Sequence, residues 1–588
     1  MRLTFFILIV TQIFITLSVF AEKNKKESSN SEIIKWEKLK YNNSNDLKKI
    51  IWKSYQGDES YFQENSEENV TVNTKTEFEP FLPLNNFLDS GNFQTLVRWK
   101  SSFQGGVSGG TGQQNPSFII DYGITDSSLL SFYFSEADDN LYNLIDGQAS
   151  HYHWQNYAFS FKRKILDKNK NIFGLSLVST LEYWRQSSGS DNTRSIYNSN
   201  VTSLSKDKFE NIVGALSLPL SKNLNQSFNF FIVPGISFLP KKLGSKGINK
   251  NVYGNNFYVG SGFIWDLSED FDMGFSYTIP LGPGNNYFDS GLNFSRKPIY
   301  SFGLGWHINP KIGIEGKITN AYGSTPSTGL LTIPSDNRPL YSANIIYKPF
   351  EEDTFLKPLN VRDKLISYGG IINSNALIPK SGSSQFKFNY DSKGNWFGSY
   401  GYSLSNIFQL ELLNIGSFKD VNLLSDKNKR LSNTYLSENN LNYRFGGKIL
   451  ILSPQKDDHF WLTFRTSLGR NDDTNQGYLF SELINTFRFN DWFAFNLSPK
   501  YFFSGVESFA VLGISTYISL SDNLMLIPEI NNSFKNSSDF NSSFALRYSY
   551  RKGSSVDLYY SNSAGIQDIG QLFEEKEFRY GIKLNFQY

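Results

Sequence analysis

Two histidines one residue apart, His151 and His153, follow an acidic run that contains Glu136, Asp138 and Asp139. In an extended loop, side chains at i and i+2 point the same way, so both imidazoles could face one metal ion beside a carboxylate. The carboxylates alone could bind Ca²⁺ or Mg²⁺ and bridge to lipopolysaccharide phosphates. The spacing fixes neither a third zinc ligand nor a complete calcium loop. The sequence therefore predicts no resident metal, and solvated polar side chains are the default interpretation.

Catalytic patterns are also incomplete. The chain has four histidines, and His307 or His459 would need a positioned nucleophile before either could act as a general base. The glycine run 105–112 lacks the Gly-Lys-Ser/Thr ending of a phosphate-binding loop and is better explained as a flexible turn. The absence of cysteine excludes disulfides and thiolate nucleophiles. The sequence predicts neither an enzyme nor a cofactor.

Composition limits the class of protein. Of 588 residues, 16% are aromatic and only 39% are hydrophobic, with a mean hydropathy of -0.37, which excludes a bundle of transmembrane helices. Strands of a membrane barrel alternate apolar and polar residues, so a barrel keeps a polar average. Fifty-seven Lys and Arg against 55 Asp and Glu give a net charge of +2, without the basic surplus that a nucleic-acid partner needs.

The N-terminus has the features of an export signal. Arg2 precedes an apolar run over 3–20, and Ala21 ends a small-residue cleavage pattern, so we predict a signal peptide over 1–21. The alternative is an uncleaved anchor, for which an 18-residue run is short. Residues 22–92 are rich in Lys, Glu, Asn and Ser and predict a mostly disordered periplasmic segment.

From Phe93 to the end, the chain alternates apolar and polar residues in segments of about ten residues. We count about 24 such strands, within a range of 20 to 26, and expect one large antiparallel transmembrane β-barrel over 93–588. In the segment 300–308, for example, every second residue is large and apolar. The rhythm is interrupted over 348–395, where either 365–373 or 385–390 supplies a strand.

Short and long connections alternate along this region. The tight turns include 125–127, 221–223, 268–270, 309–311, 490–491 and 521–523, and the long loops include 136–155, 185–208, 241–256, 282–297, 322–338 and 419–440. Outer-membrane barrels have short periplasmic turns and longer outer loops. We therefore expect both chain termini on the periplasmic side of the cell outer membrane.

The last strand carries the clearest pattern. Apolar residues at 578, 580, 582, 584, 586 and 588 alternate with polar ones, so a transmembrane strand ends on the final residue. This segment resembles the C-terminal assembly signal of outer-membrane β-barrel proteins, which is carried here by Arg579, Gly581, Leu584, Phe586 and Tyr588. The resemblance implies that the barrel-assembly machinery is a partner. Segments 80–87, 109–115 and 135–142 are similar to those of uncharacterised cyanobacterial barrels, which implies the same location.

The inward face of the strands predicts an excess of basic side chains. Twelve of them are pore-lining candidates: Arg98, Lys100, Lys162, Lys164, Lys317, Arg465, Arg488, Lys500, Arg547, Arg551, Arg579 and Lys583. Five acidic residues face them: Asp121, Glu182, Glu315, Glu482 and Asp557. This set either gives a pore a weak preference for anions or forms salt-bridged ladders within the wall.

The favoured function is an outer-membrane channel that allows porin-like passive diffusion of small hydrophilic solutes, because wide barrels enclose water unless something fills them. A ligand-specific transporter or receptor is an alternative, as is a structural surface barrel without an open pore. A barrel hydrolase would need a Ser/His/acid cluster at the rim. A soluble β-propeller fits a period near 41 residues, but the chain lacks its blade signatures.

Overall fold

A computed structural model describes residues 84–101, 114–137, 152–168, 170–189, 195, 207–241, 253–289, 293–332, 339–417, 442–456, 458–471, 476–504, 508–534, 540–565 and 569–588. The predicted signal peptide, most of the segment 22–92 and the loop residues Asp138, Asp139 and His151 lie outside these ranges. No helix within them is long and apolar enough to cross a membrane.

The first part of the chain forms one closed antiparallel ring, called here the N-terminal barrel. Its strands are β1 (Phe93–Ser101), β2 (Gln114–Thr125), β3 (Ser128–Ala137), β4 (Tyr152–Leu166), β5 (Gly174–Ser188), β6 (Asp207–Ser217), β7 (Leu220–Asn223), β8 (Phe228–Phe238), β9 (Asn255–Asp266), β10 (Phe271–Pro283), β13 (Ile299–Asn309), β14 (Ile312–Thr319) and β15 (Leu340–Tyr347). A small hairpin, β11 (Tyr287–Phe288) with β12 (Phe294–Ser295), lies in a connecting loop.

Twelve positions make up this ring, because β6 and β7 share one place between β5 and β8. Pro219 separates the two strands, and a proline has no N–H to donate to a neighbouring strand. The ring closes where β1 pairs with β15, in a register that places Thr95 opposite Tyr347.

The second part forms another closed antiparallel ring of twelve strands, called here the C-terminal barrel. Its strands are β16 (Ser384–Asp391), β17 (Trp396–Ser405), β18 (Phe408–Ser417), β19 (Asn442–Leu452), β20 (Trp461–Asn471), β21 (Gln476–Arg488), β22 (Phe493–Ser504), β23 (Ser508–Ser521), β24 (Leu524–Ser533), β25 (Phe540–Arg551), β26 (Ser554–Ser563) and β27 (Glu574–Gln587). The last strand closes the ring by pairing with β16.

The all-β antiparallel barrel fold is confirmed, and the two rings together contain the 24 strand positions expected. The strands do not form one large ring, however, and the barrel region 93–588 is divided into 93–347 and 384–587. The reason is that the alternating pattern defines the two faces of a strand but not the partner of its edge. The edge of β15 pairs with β1 and leaves β16 to pair with β27.

The two barrels pack against each other through outward apolar side chains, among them Ile312 of the N-terminal barrel and Phe408 and Ile449 of the C-terminal barrel. Asp353, between the barrels in sequence, accepts hydrogen bonds from the Asn309 side chain and from the Asn406 backbone amide. Each of these asparagines lies in a tight turn. The linker therefore joins the turn-bearing ends of both barrels.

Candidate functional site

Side chains alternate between an apolar outside and a polar inside, as the sequence predicts. In β25, Phe544 and Tyr548 are 50% and 53% exposed on the outside, whereas Ala545 and Arg547 between them are fully buried. In β13, Phe302 and Leu304 face outward in the same way. A closed ring with an apolar outer band satisfies its backbone and matches lipid, so both rings span a bilayer. Both have the closed ring and the apolar outer face of a transmembrane β-barrel.

The lumen of the C-terminal barrel contains a segment of its own chain, residues 361–378, called here the plug. Ile371, Ile372 and Leu377 are fully buried and pack with inward residues of the wall such as Trp461 and Ile527. The segment 365–373, one of two candidates for a strand, belongs to this plug. The other candidate, 385–390, lies in β16.

The plug begins with one helix, α1 (Val361–Ile366), whose first turn is capped by Asn360 through the Asp363 amide at 2.7 Å. The Asp363 carboxylate accepts a hydrogen bond from Arg488 at 2.9 Å. Burial raises the pKa of Asp363, and the guanidinium opposes that shift. Tyr368 follows the helix, and burial raises its pKa to about 12. The helix therefore fixes the start of the plug to the turn-bearing end of β21.

Basic side chains of the wall donate hydrogen bonds to the plug. Arg547 contacts the Leu365 and Gly369 carbonyls, each at 2.6 Å, while two bonds to Asp557 fix its guanidinium. Three lysines from other strands make similar contacts: Lys448 with the Asn375 carbonyl at 3.1 Å, Lys500 with Ile372 at 2.8 Å and Lys583 with Gly370 at 2.6 Å. The wall thus holds the plug from several sides.

A second loop enters the same lumen from the other end of the barrel. Ala564, Ile569, Leu572 and Phe573 pack on the inner wall beside Tyr478 and Phe502. Gln571 accepts from Lys500 at 2.9 Å through its side chain and from Asn531 at 3.1 Å through its carbonyl. Lys500 therefore contacts both the plug and this loop.

Residues 320–332, the first part of the loop between β14 and β15, lie inside the N-terminal barrel. The carboxylate of Glu182, on the wall, accepts from the Thr325 hydroxyl at 2.6 Å and from the Ser327 amide at 2.8 Å. Lys100 donates to the Gly323 carbonyl at 3.0 Å. Because Glu182 is 1% exposed, these donors supply the hydrogen bonds that burial removes from water.

The chain before β1 also lies in this barrel. Leu84 is buried beside Phe231 and Tyr258, and Asn85 accepts from the Ser221 hydroxyl at 2.6 Å. Residues 84–92 therefore belong with the barrel, although we predicted that the polar segment continues to residue 92. Ser221 lies in β7, although the sequence predicts a tight turn at 221–223. The connection to the next strand follows at 224–227.

The structure places nine of the twelve pore-lining candidates in buried positions: Arg98, Lys100, Lys162, Lys317, Arg465, Lys500, Arg547, Arg579 and Lys583. Lys164 is half-buried, and Arg488 and Arg551 are exposed near tight turns. At least eight of the twelve lie within 4 Å of a carboxylate, so most of the expected basic excess is neutralised locally. This arrangement corresponds to a salt-bridged wall and not to a row of cations in open water.

The loop with the weak metal-ligand candidates, for which the sequence predicts no resident metal, is described only in part. Glu136 accepts a hydrogen bond from Gln155 and lies 2.9 Å from the His153 Nε2 atom. His307 pairs at 2.6 Å with Asp272, which is buried on the inner wall. No group of three or more His, Asp and Glu side chains among the described residues could hold a metal ion.

Four of the five assembly-signal residues, Arg579, Gly581, Leu584 and Phe586, lie in β27, at the closure of the C-terminal barrel. Phe586 and Leu584 pair with Phe386 and Phe388 of β16. Arg579 points inward, forms an ion pair with Glu575 and donates to Asp391 at 3.0 Å. The side chain of Tyr588 is exposed beyond the last pair.

The sequence analysis missed Glu529, a buried wall residue whose carboxylate contacts three plug amides. The alternating pattern in β24 was the available signal, because Met525, Ile527 and Glu529 fall on one face, and Met525 and Ile527 are fully buried. A single carboxylate on an otherwise apolar inward face needs a partner inside the barrel.

Comparison with known proteins gives only distant likenesses. No family model matches, and no curated protein matches. Among solved structures, the KdgM porin has a TM-score of 0.26 at 11% identity, over 35% of this chain and 99% of its own. An outer-membrane channel of Pseudomonas putida F1 has a TM-score of 0.29 at 10% identity, over 45% and 97%.

The siderophore receptor PirA of Pseudomonas aeruginosa has a TM-score of 0.23 at 10% identity, over 86% of this chain and 81% of its own. At these TM-scores, none of the likenesses carries an argument about activity.

Proposed function

We propose that this protein is an outer-membrane channel for small hydrophilic solutes, and that its own inward segments close both of its lumens in the state described here. The observation that carries the proposal is the plug, which lies inside a transmembrane ring and is held by a polar wall. Stability alone does not require polar side chains on the inner wall, because apolar side chains can fill the interior of a small barrel.

The size of each ring agrees with a narrow passage. Rings of about eight strands are filled by their side chains, whereas those of 16 to 18 strands leave an aqueous channel. Twelve strands lie between these limits, so the lumen admits one peptide segment or, without it, a small solute. Two rings of twelve strands therefore enclose narrow lumens, in contrast to the very wide pore of a single ring of 24 strands.

The plug is joined to the wall at both of its ends. Its N-terminal end continues into the linker from the N-terminal barrel, and its C-terminal end leads directly into β16. Displacement therefore moves it towards the turn-bearing end without releasing it from the chain. In this proposal, lipid covers the outer apolar band of both barrels, and lipopolysaccharide and the barrel-assembly machinery are further partners. A signal peptide directs the export of the chain.

A ligand-specific transporter is the second candidate, and the filled lumens favour it. Both candidates use the plug as a gate, but a transporter keeps its barrier closed until its ligand binds, whereas the proposed channel also opens spontaneously. Spontaneous openings in the absence of any ligand separate the channel from this alternative.

The test uses a removable lock on the plug. The Thr463 hydroxyl donates to the Ala376 carbonyl at 2.5 Å, and the chain contains no native cysteine. We therefore choose Ala376→Cys with Thr463→Cys, with each single substitution as a control. Single-channel recording in planar bilayers should show that the conductance step of the C-terminal barrel is absent in the oxidised double variant and returns after reduction.

A second variant replaces residues 361–378 by a Gly/Ser linker of the same length, which keeps the connection between the barrels. It should give a steady conductance that the intact protein lacks. If this variant is folded and heat-modifiable but remains silent, the C-terminal barrel is not a channel.

A further inference from the structure

The plug presents three consecutive backbone amides to one carboxylate. Glu529 accepts from Ile371 at 2.5 Å, from Ile372 at 3.1 Å and from Asn373 at 3.0 Å. Glycine at 370 permits this approach, because a Cβ there would lie 1.9 Å from the carboxylate oxygen. Successive N–H groups that converge in this way form a concave site that suits an anion.

Two lysines flank these amides. Lys583 donates to the Gly370 carbonyl and Lys500 to the Ile372 carbonyl, so their ammonium groups lie beside the residues that hold Glu529. Both are buried, at 1% and 2% exposure. The Lys500 ammonium also lies 3.8 Å from Glu482, and the Lys583 ammonium lies 3.8 Å from Asp557. Each lysine nevertheless donates a hydrogen bond to a neutral plug carbonyl, which is a weaker partner than an added anionic oxygen would be.

The wall around the plug has more basic than acidic side chains. Seven basic residues of the described strands, Lys387, Arg444, Lys448, Arg465, Lys500, Arg547 and Lys583, face four acidic ones, Glu411, Glu482, Glu529 and Asp557. Glu411, Glu482 and Asp557 are already paired with arginines. The lumen can therefore accept an additional anion without an excess of negative charge.

We propose that the three plug amides, with Lys500 and Lys583, form a binding site for an anionic oxygen group, and that Glu529 occupies it in the closed channel. A solute that carries a phosphate or carboxylate competes with Glu529 for this site and releases the plug. The inference rests on the proposed function, because it names the class of solute that opens that channel.

The competition has a physical basis. Glu529 reaches the amides from the wall and therefore attaches the plug to β24. A free anion satisfies the same amides and lysines without any link to the wall, so binding it favours the displaced plug. The anion can shift the equilibrium between the closed and the displaced plug only by the difference between its binding free energies to these two states.

The experiment records single channels of the full chain in sodium chloride, and then with part of the chloride replaced by inorganic phosphate or by succinate at constant ionic strength. The open probability should rise at least about tenfold with either anion, which corresponds to about 1.4 kcal/mol of differential binding. A response to phosphate alone or to succinate alone identifies which anionic group the site takes.

The variant Glu529→Gln removes the internal competitor with little change in shape. It should open in chloride without added anion, whereas Glu577→Gln, at an exposed carboxylate on β27, should behave as the intact protein does. A third variant, Asn375→Cys, gives a second measurement on the plug itself. Its reaction with an impermeant maleimide should become faster when phosphate or succinate is added.

The outcomes distinguish the two proposals. If the variant with the Gly/Ser linker conducts but neither anion changes opening or labelling in the intact protein, the anion site is wrong and the channel stands. If the linker variant is silent, the channel itself is wrong. A folded Glu529→Gln variant that stays closed in chloride also overturns the role of Glu529 as the competitor.

Discussion

The hydroxyl group of Tyr559 lies across Gly581 inside the C-terminal barrel, so that a Cβ at Gly581 would come within 2.4 Å of its oxygen. The two residues are opposite each other in the register of β26 and β27. Gly581, which the sequence assigns to the assembly signal, therefore also has a packing role.

Gly581→Val should destabilise the barrel by about 1–3 kcal/mol, because Tyr559 must move away from its buried position. The double variant with Tyr559→Ser should recover part of that loss, as residues in contact do in a double-mutant cycle. Gly398→Ala is the control, since nothing lies within 4 Å of a Cβ at that position. Urea unfolding measures the wild type, both single variants, the double variant and the control, and purely additive effects would contradict the packing role.

Arg547 and Asp557 form a buried pair through hydrogen bonds of 2.6 and 2.7 Å. Arg547→Ala should cost about 3–5 kcal/mol of unfolding free energy, because it leaves a buried carboxylate without its partner. Arg551→Ala on the same strand should change stability by less than about 0.5 kcal/mol, since Arg551 is exposed near a turn. Equal losses in urea unfolding would show that both arginines are in similar surroundings.

Leu304 is 42% exposed on the outer face of β13, midway along the strand. Leu304→Arg should destabilise the N-terminal barrel by about 2–4 kcal/mol near the bilayer midplane. Leu267→Arg, in the tight turn after β9, should cost only about 0–1 kcal/mol. Folding into lipid vesicles, followed by denaturant titration, measures both variants. A cost that does not depend on depth would count against the assigned membrane position.

The final strand makes the closing pairs Gln385 with Gln587 and Phe386 with Phe586. Deletion of residues 586–588 removes them together with the end of the assembly signal. We expect export to continue while insertion of a heat-modifiable barrel is lost. The test is fractionation of membranes followed by electrophoresis with and without heating. A normal level of protease-resistant barrel in the outer membrane would oppose the prediction.

Much of the fold can be predicted from local sequence. Alternation in segments such as 300–308 identifies the faces of a strand, and tight turns such as 268–270 and 521–523 lie where strands join. These features depend on residues that are close in the chain. They give the strand number and the outward face.

Closure and the plug depend on contacts that are distant in the chain. Tyr347 pairs with Thr95, and Lys583 contacts Gly370, yet neither local sequence shows its partner. Residues 369–375 combine Gly, Asn and Ser with Ile, a composition that is also typical of a loop. Their position inside a barrel follows from the wall residues that meet them.

The separate closure of the two rings changes how an electrical recording of this protein should be interpreted. With the function proposed above, one polypeptide would enclose two parallel conductors, each with its own gate, because residues 320–332 and the plug differ in sequence. A single copy would therefore give two current steps of unequal size that open independently. Two such steps are ordinarily taken as evidence for a dimer, but here they would come from one monomer.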